Sequence, residues 1–194
     1  MLNAVVLHGR EVRLEPLSAS HFQALCAVGV DEELWRWMPT RVRTSQELTA
    51  WCEGALEEQR KGMALPWAIV RCSSGQTVGS TRFGNIDMFH RRLEIGWTWI
   101  AGPWQRTRVN TETKYLMLRH AFETLGCVRV EFKTDALNER SRKALLRIGA
   151  KEEGMFRRHM ITGTGRVRDT IYFSIIDSEW PEVKTALEQR LAIS

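Results

Sequence analysis

The sequence lacks the features that mark a membrane protein, a disulfide scaffold or a zinc protein. Its longest apolar stretches, such as residues 115–118, are far shorter than the ~20 residues of a membrane-spanning helix. Its first ten residues include neither a basic leader nor a long apolar segment, so we expect no signal peptide and a cytoplasmic protein. The four cysteines are isolated from one another, which predicts buried or half-buried free thiols and no metal site: Cys26, Cys52, Cys72 and Cys127.

Strong charge of one sign and low-complexity segments are also missing. Lys and Arg number 28 against 23 Asp and Glu, and the resulting net charge of +5 is spread along the chain. Nucleic-acid binding is therefore the weakest interpretation, because the sequence has no dense basic tail and no recognisable reading element. The mild positive charge instead suits small anionic ligands such as phosphates. With 43% hydrophobic residues and no linker or repeat, we expect one globular domain over residues 1–194.

What the sequence does contain is a repeated change between helical and extended periodicity. Extended patterns predict strands at residues 12–17, 67–72, 77–83, 93–100, 128–134, 155–161 and 167–176. Helical patterns with capping residues predict helices that begin near Ser18 or Ser20, at Thr44, near Thr111, after Asn138 and from about Ser178. This order predicts an α+β fold, with a mixed and mostly antiparallel sheet of about six to seven strands and helices on both faces. Residues 93–100 and 128–134 should form its parallel pair through a right-handed crossover.

The most informative segment is the strand, polar loop and helix start that run from residue 93 to residue 111. A helix start presents unpaired N–H groups and the positive end of the helix dipole, and it binds phosphate well. Arg106 and Arg108 add positive charge, and Thr107, Asn110 and Thr111 add short polar side chains. The segment therefore indicates either a phosphate site or an ordinary solvated loop with capping residues.

The strand before this loop carries a carboxylate at its centre. Alternation divides the strand into two sets on opposite faces, namely Leu93, Ile95, Trp97 and Trp99 against Glu94, Gly96 and Thr98. If helices cover both faces, burying Glu94 is costly unless it is paired or functional. We therefore expect Glu94 either to act as a general base or to form a salt bridge with an arginine such as Arg82. Asp87 and His90, in the loop before the strand, are weaker candidates for the base.

Two segments together resemble a known enzyme family. Residues 103–114, Pro-Trp-Gln-Arg-Thr-Arg-Val-Asn-Thr-Glu-Thr-Lys, with the helix residues 118–122 that follow, resemble the acyl-CoA signature of the GNAT N-acetyltransferase superfamily. Residues 138–143 and 148–154 are similar to a second signature of the branch that contains the ribosomal-protein N-terminal acetyltransferases. The order of elements agrees along essentially the whole chain. The resemblance implies transfer of an acetyl group from acetyl-CoA to an amine, either a protein N-terminus or a small molecule, without a metal.

The loop departs from the family pattern at one important position. The family runs Gln/Arg-x-x-Gly-x-Gly/Ala, and Gln105 fits the first position, while Arg108 and Asn110 replace the two small residues. Asn tolerates unusual backbone angles and caps helices, so Asn110 is easily accommodated. We expect Arg108 to turn outward and assist the phosphates. The alternative is an altered loop with weakened CoA binding, which would make the chain a GNAT-fold ligand- or partner-binding module without catalysis.

The resemblance also implies how the two substrates meet. The amine and acetyl-CoA would enter from opposite sides of a cleft between residues 93–100 and 128–134, where splayed main-chain groups bond the pantetheine arm. It places the CoA over Gln105, Arg106, Thr107, Arg108, Val109, Asn110 and Thr111. A backbone N–H near Trp99 or Ile100 would stabilise the tetrahedral oxyanion. The resemblance also supports Glu94 as the general base, since a glutamate before Ile-Gly recurs in that branch.

The helix after Asn138 supplies the remaining cofactor candidates. Asn138 caps this helix, and the resemblance adds a contact from its side chain to the pantetheine arm. Ser141 is placed to donate a hydrogen bond toward the CoA sulfur, where many relatives have a tyrosine, or simply to satisfy the helix start. Lys143 and Arg147 share one side of the helix and would meet the CoA 3′-phosphate.

A tryptophan-rich segment is the candidate acceptor site. Trp35, Trp37 and Met38 lie in the variable region that lines the acceptor pocket in this superfamily. Such a segment is either core or a binding wall. An aromatic wall suits an apolar or peptide-like amine better than an aminoglycoside. The resemblance also makes a homodimer an expectation, because dimers are common among relatives.

Overall fold

The structure, a computed structural model, describes residues 2–192. Over this range the strands are β1 (Leu7–His8), β2 (Val12–Pro16), β3 (Leu65–Arg71), β4 (Thr77–Asp87), β5 (Arg92–Ile100), β6 (Arg129–Asp135), β7 (Lys151–Ile161) and β8 (Val167–Ile176). The α-helices are α1 (Phe22–Gly29), α2 (Glu32–Trp35), α3 (Ser45–Arg60), α4 (Arg108–Arg119), α5 (Glu139–Arg147) and α6 (Trp180–Ala192).

The strands form one sheet in the order β1-β2-β3-β4-β5-β6-β8-β7. Every neighbouring pair is antiparallel except β5 and β6, which are parallel and joined through α4. The predicted fold class is therefore confirmed, and the sheet has one strand more than the upper end of the expected range. The additional strand is β1, whose two residues pair with β2. A strand this short has no periodicity for a sequence analysis to detect.

Helices cover both faces of the sheet, and each face has its own apolar core. Alternate residues of β3 show the division, because Trp67 and Ile69 belong to one core and Ala68 and Val70 to the other. The first core contains side chains of α4, α5 and α6, and the second contains side chains of α1 and α3. The sheet thus separates the core on the α4 side from the core on the α1 and α3 side.

Helix α4 begins earlier than the sequence predicted. Its N-cap is Thr107, whose hydroxyl accepts a hydrogen bond from the N–H of Val109 at 3.3 Å. Residues 108–110, expected in the loop, are therefore the first turn of the helix. After Arg119 the helix continues as a wider turn over His120–Thr124 and ends before Gly126, whose φ is +64°. The loop between β5 and α4 is thus three residues shorter than expected.

The cysteines and acidic side chains give no sign of a metal centre in the part of the chain described. All four cysteines are free thiols, and Cys72 is exposed, contrary to the expectation that every thiol would be at least half-buried. Cys72 is exposed because it follows the end of β3, in the turn to β4. Over residues 2–192, no group of three His, Cys, Asp or Glu side chains could hold a metal ion. Over the same range, no helix has the length and apolar character needed to cross a membrane.

Candidate active site

The central feature is the separation of β5 from β6 partway along the sheet. The two strands pair from Arg92–Arg129 to Glu94–Glu131, and the pairing stops there, although β5 continues to Ile100 and β6 to Asp135. The gap opens into a cleft of about 940 Å³ that is lined by both strands, by α4 and α5, and by the segment after α2. Main-chain groups on one side of β5 therefore face a cavity instead of a neighbouring strand.

A β-bulge interrupts β5 inside the cleft. Trp97 and Thr98 together face a single residue of β4. Trp97 has a φ of +50°, which is the left-handed region that non-glycine residues seldom occupy. Its indole ring rests on Gly84, where an added Cβ would lie 2.3 Å from the ring. The glycine in β4 thus leaves the room that the bulge requires.

The bulge reverses the alternation of side chains, and the predicted division of β5 between two faces is wrong beyond Gly96. Leu93 and Ile95 lie in the core under α4, but Trp99 lies in the core under α1 and α3. Thr98 correspondingly turns toward α4, where its hydroxyl accepts a hydrogen bond from Lys114. An extra residue in a strand shifts every later side chain to the opposite face.

Glu94 lies where the strands separate, on the α1 and α3 side of the sheet, and its residue is only 5% exposed. Its carboxylate forms an ion pair with Lys133 of β6 at 2.8 Å and accepts a hydrogen bond from Asn85 Nδ2 at 2.6 Å. The suggested partner Arg82 is wrong, because its guanidinium pairs with Glu58 of α3 at 2.8 Å. Glu94 is therefore paired by the neighbouring strand and still borders the cleft.

The two weaker base candidates lie outside the cleft. Asp87 accepts a hydrogen bond from the N–H of His90 at 3.0 Å and pairs with Arg92 at 3.1 Å. That backbone hydrogen bond and the nearby guanidinium lower the pKa of Asp87. Another carboxylate on the cleft, Asp135, is fully buried and neutralised by a hydrogen-bonded ion pair with Arg166. Glu94 therefore borders the cleft, whereas Asp87 and His90 do not.

The segment between β5 and α4 is held against the cleft by one side chain. Gln105 donates from its amide nitrogen to the carbonyl of Ile100 at 2.8 Å and accepts from Arg140 of α5 at 2.7 Å. Arg106 follows with a φ of +63°, and Thr107 then caps α4. The predicted CoA residues that line the cleft are Trp99, Ile100, Gln105, Arg106, Thr107, Arg108, Asn110 and Thr111. Val109 is instead fully buried in the core under α4.

Arg108 occupies the position where the family pattern has glycine, and its backbone is not strained. The residue with left-handed φ in this segment is Arg106, two positions earlier, while Arg108 begins the helix. The Arg108 guanidinium donates to the carbonyl of Leu191 at the end of α6, at 3.3 Å. Its other terminal nitrogen is buried without a hydrogen-bond partner in the described chain. The guanidinium is therefore only partly satisfied by hydrogen bonds within the described chain.

Helix α5 brings three of the four predicted residues to the cleft. Asn138 caps the helix by accepting a hydrogen bond from the N–H of Ser141 at 3.1 Å, and Asn138, Ser141 and Arg147 all border the cavity. Lys143 does not fit the prediction. Its side chain is 76% exposed and pairs with Glu139 on the solvent side of the helix.

The tryptophan-rich segment is divided between core and cleft. Trp35 is 2% exposed, and its indole N–H donates to the carbonyl of Gly29 at 2.8 Å, so Trp35 is a core residue and not part of a binding wall. Trp37 and Met38 border the cleft. Arg168, which donates to the carbonyl of Trp37 at 3.3 Å, links this segment to the start of β8.

Lys114 is a cleft residue that the sequence analysis missed. It lies in the second turn of α4, it is 6% exposed, and its Nζ donates to Thr98 Oγ1 at 2.6 Å. Burial lowers the pKa of Lys114 to about 7, against an opposing effect of the Glu94 carboxylate. The signal that could have identified Lys114 is its place among the buried positions of an amphipathic helix. Burying an ammonium group costs free energy, so a lysine at such a position indicates a function or a specific partner.

Comparison with known proteins gives one consistent family. Residues 11–151 match the family model of the GNAT acetyltransferase domain. The Bacillus subtilis protein YdaF, named as a candidate ribosomal N-acetyltransferase, is 33% identical over 106 residues, which are 55% of this chain and 57% of YdaF.

Two solved structures superpose on nearly the whole chain. A GCN5-related N-acetyltransferase from Brucella melitensis is 33% identical, with a TM-score of 0.90 over 97% of this chain and 86% of that one. RimJ from Mycobacterium smegmatis, solved in complex with CoA-disulfide, is 25% identical, with a TM-score of 0.80 over 92% of this chain and 88% of RimJ.

Proposed function

The chain belongs to the GNAT family of acetyltransferases, and we propose that it moves an acetyl group from acetyl-CoA to the terminal amino group of a peptide across the cleft between β5 and β6. The observation that carries this proposal is the end of strand pairing at Glu94–Glu131. The resulting gap connects the α4 side of the sheet with the α1 and α3 side. Two substrates can therefore approach one reaction centre from opposite faces.

Positive charge gathers on the α4 side of the cleft, where we place the phosphates of CoA. Arg106, Arg108, Arg140 and Arg147 border this end of the cavity. The start of α4 adds N–H groups that have no intrahelical partner, together with the positive end of the helix dipole. The buried, unpartnered nitrogen of Arg108 also fits an anionic ligand. We therefore assign the pyrophosphate to residues 105–111.

This assignment predicts that the phosphates contribute measurably to the binding energy of CoA. CoA should bind at least tenfold more tightly than pantetheine, because one charge-assisted contact is worth about 1.5–3 kcal/mol. Calorimetry with the two compounds measures the difference, and raising the salt concentration should weaken only the binding of CoA. Equal affinity for both compounds would contradict the phosphate assignment.

Arg108 should assist CoA binding. Arg108→Met keeps a good helix former at the start of α4 and removes the guanidinium, so we expect CoA affinity to fall by about five- to thirtyfold. Pantetheine affinity should not change, and Arg119→Met, at the other end of α4, serves as the matched control. Tighter binding of CoA by Arg108→Met would show that the side chain obstructs the site.

The alternative of a non-catalytic module loses its main support. That alternative depended on a side chain at a position where the backbone was expected to need glycine. Because Arg108 starts a helix and left-handed φ falls at Arg106, the backbone accommodates a side chain at residue 108. An arginine there is compatible with a functional CoA site.

The unpaired edge of β5 supplies the main-chain donor that acyl transfer needs. The N–H of Ala101 donates to the carbonyl of Val78 in β4 at 2.8 Å. Since successive N–H groups of a strand point to opposite sides, the N–H of Ile100 faces the gap. The carbonyl of Ile100, which bonds the Gln105 side chain, faces the same way. We assign the Ile100 N–H to the pantetheine arm or to the oxyanion of the tetrahedral intermediate.

Glu94 is the proposed general base on the opposite side of the gap. An amine must be neutral to attack the acetyl carbon, and a carboxylate within reach, or through one water, removes the proton. The ion pair with Lys133 and the hydrogen bond from Asn85 hold the carboxylate in a fixed orientation. Asn138 and Ser141, on the α4 side, are assigned to the pantetheine arm and the CoA sulfur region.

The apolar residues Trp37 and Met38 favour a peptide as the acetyl acceptor. Trp37 and Met38 offer apolar surface in the cleft, on the side of Glu94. The name of YdaF points in the same direction, since YdaF is described as a candidate ribosomal N-acetyltransferase. A small apolar amine is the competing acceptor class.

A thiol-release assay with acetyl-CoA tests the proposal. The acceptors are short peptides with a free α-amino group, the same peptides blocked by Nα-acetylation, polyamines and amino-acid derivatives. We expect CoA release with free peptides and none with their blocked forms. CoA release with small amines alone would show that the acceptor is a small amine and not a peptide. No release with any acceptor would contradict an active transferase.

A further inference from the structure

The side-chain amino group of Lys114 is buried beside the cleft, and the proposed mechanism does not yet include it. Its Nζ donates to Thr98 Oγ1, and that hydroxyl lies 2.7 Å from Thr81 Oγ1 of β4. The Thr81 hydroxyl in turn contacts the Met117 sulfur. Over residues 2–192, Thr98 Oγ1 is the hydrogen-bond acceptor found for an ammonium group that carries three N–H donors.

The charges around Lys114 do not neutralise it directly. Thr98 of β5 contacts it directly, and Thr81 of β4 and Met117 of its own helix are linked to it through the Thr98 hydroxyl. The carboxylate that acts on Lys114 is Glu94, whose direct partners are Lys133 and Asn85. A purely structural link between α4 and the sheet would be cheaper with an apolar side chain, because a buried ammonium carries a large desolvation cost.

Lys114 lies on the side of the gap where a proton donor for CoA would be needed. Thr98 lies in the bulged part of β5 that has no β6 neighbour, and the bulge turns it toward α4. Lys114 therefore reaches the gap from the side where we place CoA, whereas Glu94 reaches it from the side of the acceptor. Acetyl transfer from a thioester to an amine requires a base for the amine and a proton donor for the sulfur. Glu94 and Lys114 lie on the two sides of the gap where these groups are needed.

On the basis of the proposed function, we infer that Lys114 donates the proton that the sulfur of CoA needs when it departs. The amine nitrogen forms a bond to the acetyl carbon, and the bond from that carbon to sulfur breaks, with its electron pair going to sulfur. Sulfur takes a proton from Lys114 Nζ, and the amine loses its extra proton to Glu94. Solvent then removes the proton from Glu94 and returns one to Lys114, so the products are an amide and the CoA thiol.

The far-ultraviolet difference absorbance of the CoA thiolate, recorded against the desulfo-CoA complex, tests this role without a known acceptor. A free thiol has a pKa of about 8.5. In the complex with the wild-type enzyme, the cation at Lys114 should lower the pKa of the bound thiol by at least one unit. Lys114→Met, a substitution of similar length, should abolish that shift and leave the thiol at or above its ordinary value. Lys184→Met, whose lysine pairs with Glu123 away from the cleft, should behave as wild type.

Desulfo-CoA separates a chemical role from a structural one. Wild type and Lys114→Met should bind desulfo-CoA equally, whereas the variant should bind CoA more weakly than wild type over the pH range in which the bound thiol is ionised. Equal weakening for both compounds would assign Lys114 a structural role and overturn the inference. A wild-type complex whose thiol titrates at or above its free value would overturn it even if the variant did not fold. Failure of the wild type to bind CoA at all would instead contradict the proposed function.

Discussion

Replacing Glu94 by Gln should lower the turnover number by about 10²- to 10⁴-fold, the usual contribution of general acid–base catalysis. The substitution keeps the shape of the side chain and the hydrogen bond to Asn85 or Lys133, but it removes the group that accepts the proton. CoA affinity should be nearly unchanged, because Glu94 lies on the acceptor side of the gap. The defect should shrink as the pH rises, since more of the acceptor amine is then already neutral. Steady-state kinetics across a range of pH measure both effects.

A neighbouring carboxylate provides the control for this experiment. Glu131 is adjacent to Glu94 across the parallel pair, is almost fully buried, and forms ion pairs with Arg92 and Arg129. Glu131→Gln should disturb stability in a similar way but leave turnover near that of wild type. Melting temperatures measured beside the rates separate loss of the base from loss of a buried ion pair. A folded Glu94→Gln enzyme with full activity at neutral pH would return Glu94 to a structural role.

Replacing Glu112 by Ala should lower the free energy of unfolding by about 3–5 kcal/mol. Glu112 is a buried residue of α4 whose carboxylate accepts hydrogen bonds from the N–H groups of Arg10, Glu11 and Val12 at 2.7–2.9 Å. Without it, three backbone donors at the start of β2 lose their partner, and α4 loses a tie to the edge of the sheet. The melting temperature should fall by roughly 6–20 °C for a chain of this length.

Denaturant unfolding of Glu112→Ala and of a surface control decides this prediction. Glu57→Ala removes an exposed carboxylate of α3 that pairs with Arg60 and Lys61, and such pairs contribute at most about 1 kcal/mol. CoA affinity of Glu112→Ala should also decline, because the start of α4 is proposed to hold the phosphates. A variant as stable as the Glu57 control would show that the edge of the sheet does not depend on this carboxylate.

The order of elements could be read from the sequence because each long element has a single periodicity. The parallel pair of β5 and β6 followed from a strand, helix and strand in succession, and the structure confirms it. The two-residue strand β1 and the four-residue helix α2 were missed because they are too short for a pattern. The start of α4 was misplaced by three residues, since Thr107, Asn110 and Thr111 are all acceptable capping residues in isolation.

The site was predicted best where a residue type dictates position, and least where backbone geometry does. Glu94 borders the cleft as expected from a carboxylate within an apolar strand. The bulge at Trp97 could not be inferred, and it transferred Thr98 and Trp99 to opposite faces from those expected. Lys143 and Arg147 share one side of α5, yet only Arg147 turns to the cleft, because helical spacing does not fix the direction of a long, flexible side chain.

The central claim is that two substrates meet through one gap in the sheet, and a conjugate that joins them tests it most directly. In this conjugate the acetyl group links the sulfur of CoA to the amino group of a peptide active in the thiol-release assay. If the phosphates lie at the start of α4 and the peptide lies beside Glu94, both halves bind at once and their binding energies combine. We predict that the wild-type enzyme binds the conjugate at least about 100-fold more tightly than CoA alone. A conjugate that binds no more tightly than CoA would contradict the claim.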